Sequence, residues 1–240
     1  MSESGDGRVL WITGAGSGMG AAVARRAAAS GWRVVLSGRR EGALREVAAQ
    51  IGAEALVLPL DTTDAVAVAA ARDRVLGRWG RIDGLVLAAG LNSPRRRWAD
   101  QSITEVEEIV RTNLLGPTAV IDATLPALRE SNGVVVIISS YSAWAFNPIA
   151  GVAYSASKSA LGQLARTLNA QEAAAGVRAC HLCPGDVATD FLRHRPVVPD
   201  EAARAVMLAP DDVARTVQFV LDAPAHVRFD EIVVSPVSQV

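Results

Sequence analysis

Short, uninterrupted apolar runs alternate with alanine-rich helical stretches along the whole of this chain. The runs fall at residues 9–13, 33–37, 55–59, 84–88, 134–139, 177–182 and 231–235. Between them lie stretches of helical composition at 18–30, 41–51, 64–77, 103–129, 153–175 and 211–222. Strands that are apolar at nearly every position are buried on both faces, as in a parallel sheet covered by helices. The pattern recurs without a composition break or low-complexity linker, and 240 residues suit one substantial core better than two. The implied fold class is α/β: a Rossmann-type, doubly wound parallel sheet of about seven strands, forming a single domain over residues 1–240. Residues 190–209 are less regular and carry Pro196 and Pro199, which reads as a mobile substrate flap within that domain.

The first apolar run leads into Thr13-Gly14-Ala15-Gly16-Ser17-Gly18-Met19-Gly20. Gly14 permits a tight turn, Gly18 lets backbone approach a pyrophosphate, and Gly20 allows close helix–strand packing. The amides and positive dipole of the helix that follows would face the phosphates. The second run ends Ser37-Gly38-Arg39-Arg40, with no carboxylate before Glu41 to take a ribose 2′-hydroxyl. Arg39 and Arg40 instead offer guanidinium groups suited to a 2′-phosphate, favouring NADP(H) over NAD(H). The same arginines would also serve as solvated charges at a helix start. Asp61, in Leu60-Asp61-Thr62 after the third run, is placed to accept from an adenine amino group, or to act as a turn carboxylate.

Tyr154 and Lys158 stand four residues apart in Tyr154-Ser155-Ala156-Ser157-Lys158. On a helix they share one face, with Cβ atoms about 5–6 Å apart. An ammonium beside a phenol favours the phenolate, so the tyrosine pKa is expected to fall from about 10 toward neutrality. Such a phenol can exchange a proton with an alcohol or carbonyl oxygen. The bland reading is a packed aromatic beside a snorkelling lysine.

Together these residues resemble the short-chain dehydrogenase/reductase family in its compact single-domain form. The motifs run nearly the length of the chain: Thr13-Gly14-x-x-x-Gly18-x-Gly20, Asp61, Ala89-Gly90, Asn113, Ser139-Ser140, Tyr154-x-x-x-Lys158 and Pro184-Gly185-x-Val187-x-Thr189. The resemblance implies an NADP(H)-dependent oxidoreductase that interconverts a carbonyl and a secondary alcohol. It implies that Tyr154 is the general acid or base, that Lys158 lowers its pKa and binds the nicotinamide ribose, and that Ser140 bonds the substrate oxygen. Asn113 would hold a water linking Lys158 to solvent. Pro184, Gly185, Val187 and Thr189 would contact the nicotinamide, and Gly16, Ser17, Met19, Thr62, Ala89 and Gly90 complete the implied cofactor site. A homodimer or homotetramer through helices 103–129 and 153–175 is implied as well.

Two departures from the family pattern stand out. Ser140 and Tyr154 are one residue farther apart than usual, which leaves Ser142 as the alternative serine. The family's Asn-Asn-Ala-Gly is replaced by Leu87-Ala88-Ala89-Gly90, removing side chains that would tie neighbouring strands. The tail over 208–240 is similar to the NADP-dependent 3-hydroxy acid and serine dehydrogenases of this family.

Other partners are disfavoured. A net charge of −1 gives no electrostatic reason for nucleic acid or an anionic membrane. No apolar run approaches the ~20 residues of a membrane span. The polar, acidic start at residues 1–7 is unlike a secretory signal, so a cytoplasmic protein is expected. Cys180 and Cys183 lie three apart on a strand and should face opposite sides of the sheet, which suits neither a disulfide nor a metal site. Two basic runs, Arg95-Arg96-Arg97-Trp98 and Arg193-His194-Arg195, read first as solvated faces, with a grip on an acidic substrate as the alternative. Trp144 and Phe146 suggest an apolar wall. Besides the leading reading, an NAD-linked dehydrogenase and a catalytically silent nucleotide sensor use this fold. The sensor would be expected to lose the proton donor, whereas Tyr154 and Lys158 remain.

Overall fold

A computed structural model describes residues 7–239. The apolar runs become β1 (Val9–Thr13), β2 (Arg33–Gly38), β3 (Ala55–Pro59), β4 (Gly84–Leu87), β5 (Val134–Ile138), β6 (Arg178–Pro184) and β7 (Glu231–Val234). They form one seven-stranded sheet in the order β3-β2-β1-β4-β5-β6-β7, with every neighbouring pair parallel. The order reverses direction between β1 and β4, which opens the crevice where ligands bind in such sheets.

Alternate side chains of each strand go to opposite layers. Leu10, Ile12, Val34, Leu36 and Val136 pack on α1 (Gly18–Ala29), α2 (Glu41–Ile51) and a late helix at Pro210–Leu221. Val9, Trp11, Val35, Val135 and Ile137 pack on α3 (Ala65–Trp79) and on the helices at Gly116–Ser131 and Val152–Glu172. Each such Val, Leu or Ile contributes about 1.5–3 kcal/mol by burial. Because both faces are used, no strand needs polar alternation. Tryptophan is accommodated by one bond: the Trp11 indole donates to Ser37 Oγ at 2.9 Å.

The fourth crossover departs from the expected single helix. It is α4 (Ile103–Val110), a π-helical turn (Arg111–Leu115) and α5 (Gly116–Ser131), and Asn113 is fully buried within that π turn. π turns of this kind collect at functional sites. A short α6 (Tyr141–Trp144) follows β5, before α7 (Val152–Glu172); α8 (Glu201–Ala205) and α9 (Pro210–Leu221) complete the helices. α9 is capped through Asp212, whose carboxylate accepts from the Ala209 amide at 2.7 Å.

Among the described residues no helix is long and apolar enough to cross a membrane. The acidic start that argued against a secretory signal lies, Gly7 apart, outside the described residues.

Candidate active site

The crevice at the carboxyl ends of β1 and β4 is where the glycine turn sits. Gly14 takes φ +65°, and a Cβ there would lie 2.7 Å from the Ala88 carbonyl carbon and Ala89 nitrogen. The turn and the Ala88-Ala89-Gly90 segment are therefore in backbone contact, and the Ala89 amide reaches Thr13 Oγ1 at 3.4 Å. Backbone contact here stands in for the missing asparagines. Gly18, with φ +52°, faces Thr189: a Cβ would meet the threonine methyl at 3.2 Å. Two distant motifs of the sequence thus meet across the crevice.

α1 begins with Ser17 as N-cap, yet the Ser17 side chain caps none of its amides. The first intrahelical bond is from Ala21 to the Ser17 carbonyl at 3.2 Å, so the amides of Gly18, Met19 and Gly20 have no helical acceptor. Open amides at a glycine turn fit a dinucleotide pyrophosphate. The Met19 side chain, by contrast, packs into the core, and Gly16 is close to Ala43, so these two offer backbone only.

At the adenosine end, Arg40 donates to Ser17 Oγ at 3.2 Å and is exposed. That places a guanidinium beside the glycine turn, where a ribose phosphate would lie. Asp61 accepts from the Thr63 amide and hydroxyl at 2.9 Å, both bonds falling on Oδ1. Its pKa is lowered mainly by the backbone bond from Thr63, with Arg39 a smaller contributor. Thr62 has only its backbone free to face a cofactor. Its hydroxyl is turned away into the start of α5, so close that a Cβ on Gly116 would meet it at 2.6 Å.

The candidate proton-transfer residues gather around the ends of β4 and β5. Ser140, two residues past the end of β5, caps α6, its hydroxyl accepting the Ser142 amide at 3.2 Å. Ser142 is buried inside α6, and it is Ser140 whose hydroxyl bears on the Tyr154 phenol. Tyr154 and Lys158 are one turn apart on α7. Lys158 is buried and donates to the Ile138 carbonyl at 2.9 Å. Asn113 accepts from the Leu91 amide at 2.7 Å and donates to the Leu91 carbonyl at 2.9 Å and to Ser157 Oγ at 3.1 Å. A Cβ on Gly90 would sit 3.6 Å from Lys158 Nζ and 3.7 Å from Asn113 Oδ1, so the glycine leaves room where those two side chains meet. Ser139 is structural, its hydroxyl bonded to the Lys158 carbonyl at 2.9 Å.

Lys158 is not among the groups that lower the Tyr154 pKa. Burial raises the phenol pKa and dominates. The opposing influences are the Ser140 hydroxyl and the positive charges of Arg96 and Arg195, while Asp186 adds to the rise. Lys158 Nζ is 5.9 Å from the Tyr154 ring centroid and gives one of its three donors to a backbone carbonyl. Spacing in the sequence puts the two on one face, but it cannot report the desolvation that wins.

Over Tyr154 lies a 3₁₀ turn at Asp190–His194, with the Phe191 ring centroid 6.1 Å from that of Tyr154. Phe191 is thus the aromatic ring beside the phenol, while Trp144 and Phe146, which suggested an apolar wall, are 54% and 91% exposed. The excursion from this turn to residue 208 is closed at its base: Leu208 donates to the Asp186 carbonyl at 2.9 Å and Ala188 to the Leu208 carbonyl at 2.8 Å. Near its start, Gln239 accepts from the Asp186 amide at 2.7 Å, a brace the sequence did not signal.

The cysteines face opposite sides of β6 as the spacing requires, Cys180 in the α1/α9 layer and Cys183 toward His181 on the other face. Burial pushes both thiols up to about 12. His181 Nδ1 is 2.9 Å from Glu231 Oε2, and Cys183 Sγ lies 3.5 and 3.7 Å from the two ring nitrogens.

Residues 8–197 match the short chain dehydrogenase family model. The chain is 31% identical over 235 residues to a serine 3-dehydrogenase of Agrobacterium fabrum, with 96% of this chain and 94% of that protein covered. Its structure resembles an alcohol dehydrogenase of the archaeon Thermococcus sibiricus complexed with 5-hydroxy-NADP, at 31% identity, a TM-score of 0.87 and 97% coverage of each chain. It also resembles a 3-ketoacyl-(acyl-carrier-protein) reductase of Brucella melitensis complexed with NADH, at 27% identity and a TM-score of 0.89, covering 98% of this chain and 99% of that one. With the fold, the open glycine turn and a matching family model over most of its length, the chain belongs to the short-chain dehydrogenase family of oxidoreductases.

Proposed function

We propose that this enzyme interconverts a carbonyl and a secondary alcohol, with NADP(H) as the hydride carrier and Tyr154 as the proton-transfer group. The observation that carries the reading is the convergence of Ser140, Tyr154, Lys158 and Asn113 on the crevice beside an uncapped glycine turn. The bound nicotinamide supplies or accepts the hydride. Tyr154 donates its phenol proton to the oxygen formed on reduction. Ser140 stabilises the charge that develops on that oxygen. Lys158 holds the nicotinamide ribose, and Asn113 fixes the neighbouring loop and the water that links the lysine to solvent. Residues 190–209 act as the substrate flap, with Phe191 excluding water above the phenol.

The preference for NADP(H) is supported by Arg40 beside Ser17 and by the absence of a carboxylate at the end of β2. One structural neighbour is bound to an NADP derivative and another to NADH, so the preference rests on this chain's own arginines.

The test is Tyr154→Phe, assayed on a panel of carbonyls with NADPH. A fall of about 100- to 10,000-fold in kcat/KM with NADPH still bound is expected. Undiminished turnover removes the phenol from the mechanism.

A further inference from the structure

The two basic runs, at residues 95–97 and 193–195, meet where Arg96 bonds the His194 carbonyl, and most of their charge is already matched. Arg95 pairs with Glu105 at 2.8 Å, Arg193 with Asp190 at 2.6 Å, and Arg195 with Asp186. Arg97 is exposed to water. Arg96 is different. It is half-buried, and among the described residues it forms no ion pair with a carboxylate.

Its position is fixed by backbone. Arg96 Nε donates to the Ser93 carbonyl at 2.7 Å and Nη2 to the His194 carbonyl. It also backs onto the start of α7: a Cβ on Gly151 would lie 2.9 Å from Arg96 Cβ, three residues before Tyr154. The guanidinium therefore spans the gap between the loop after β4 and the turn that carries Phe191 over the phenol. Two of its five N–H donors are used by those carbonyls, so three remain. A cation out of full solvent with spare donors and no anion is costly unless a ligand completes it.

We propose that Arg96 is the anchor for a carboxylate on the substrate, so that the enzyme's preferred substrates are oxo acids and hydroxy acids. This deepens the oxidoreductase reading and rests on it. A planar guanidinium held by carbonyls on one side presents its remaining donors as a fork, the geometry that carboxylates accept. Electrostatics agree with the placement. Burial, then the charge of Arg195, lowers the Arg96 pKa, and Arg96 in turn draws down that of Tyr154. With Arg96 packed on Gly151, one turn of α7 before Tyr154, one small molecule can meet both groups. Arg195, across the site, is held by Asp186 and is left as a bystander.

The test compares a panel of oxo acids with their methyl esters, using NADPH and the full chain. Wild type should favour each acid over its ester. Arg96→Met should lose about 10- to 100-fold in kcat/KM on the acids and less than about threefold on the esters. Arg96→Lys should restore part of the loss on acids, since it keeps the charge but not the fork. An equal loss on acid and ester would show that Arg96 merely latches the flap through His194, overturning the proposal. Ester turnover reads the redox chemistry without the charge. Acids no better than esters in wild type therefore overturn the carboxylate anchor and leave the oxidoreductase reading standing.

Discussion

The Lys158 ammonium is buried against the sheet, with its hydrogen bond to the Ile138 carbonyl 2.9 Å long. Burial pushes its pKa down to about 8, only partly offset by the negative charge a Cys183 thiolate would carry. An unfolded lysine keeps its proton to about 10.4. Between those values the unfolded chain binds more protons than the folded one, so stability rises with pH across that window. Lys158→Met removes the titration. Its stability relative to wild type, read from urea unfolding of the cofactor-free protein, should fall by roughly 2 kcal/mol between pH 7 and pH 10. A constant difference across that range would mean the ammonium is solvated.

Arg40 and Ser17 tie the end of β2 to the glycine turn, and the prediction concerns which cofactor that corner accepts. Replacing Arg39 and Arg40 together by Ala should raise the KM for NADPH about 10- to 100-fold, from the loss of charge-assisted bonds to a 2′-phosphate. The KM for NADH should change far less. Steady-state kinetics with both cofactors decides it, and an unchanged NADPH-to-NADH ratio would place the phosphate elsewhere.

Asn113 is committed to three bonds, two of them to Leu91 and one to Ser157. Asn113→Ala leaves the Leu91 amide and carbonyl to find water in a closed site. A stability loss of about 2–4 kcal/mol is expected in chemical denaturation. Activity should fall further than stability alone explains, because the π turn and the Leu91 loop both border Lys158. Asn113→Asp keeps the acceptor for the Leu91 amide but loses both donors, so it should not rescue either property.

How much of this was legible depends on whether the signal was local. Apolar runs such as Val9–Thr13 and Ala55–Pro59 declared themselves, because a strand covered on both faces has no polar positions to blur it. The glycine turn was legible for the same reason, since Gly14 and Gly18 both need positive φ. The environment of Tyr154 was not. Its pKa depends on burial and on Arg96 and Arg195, which arrive from loops about 40–60 residues away in sequence. The π turn at Asn113 was hidden too, since nothing in Arg111-Thr112-Asn113 breaks helical composition. The inward turn of Thr62 and the Gln239 brace follow from tertiary contacts that no spacing encodes.

The glycines separate into those the fold needs and those it tolerates, and paired substitutions expose the difference. A Cβ on Gly20 would be driven into the Gly14 carbonyl oxygen, a backbone atom that cannot swing aside. Gly20→Ala should therefore force α1 away from the turn, costing about 1–3 kcal/mol of stability and weakening NADPH binding. Gly42 lies in α2, is exposed, and has nothing within 4 Å of where its Cβ would stand. Gly42→Ala should instead stabilise the protein by about 0.5–1 kcal/mol through better helix propensity, with NADPH affinity untouched. Thermal unfolding and cofactor titration of both variants check this. If Gly20→Ala proved as benign as Gly42→Ala, the close contact between α1 and the turn would be refuted, and with it the exposed amides on which cofactor binding depends.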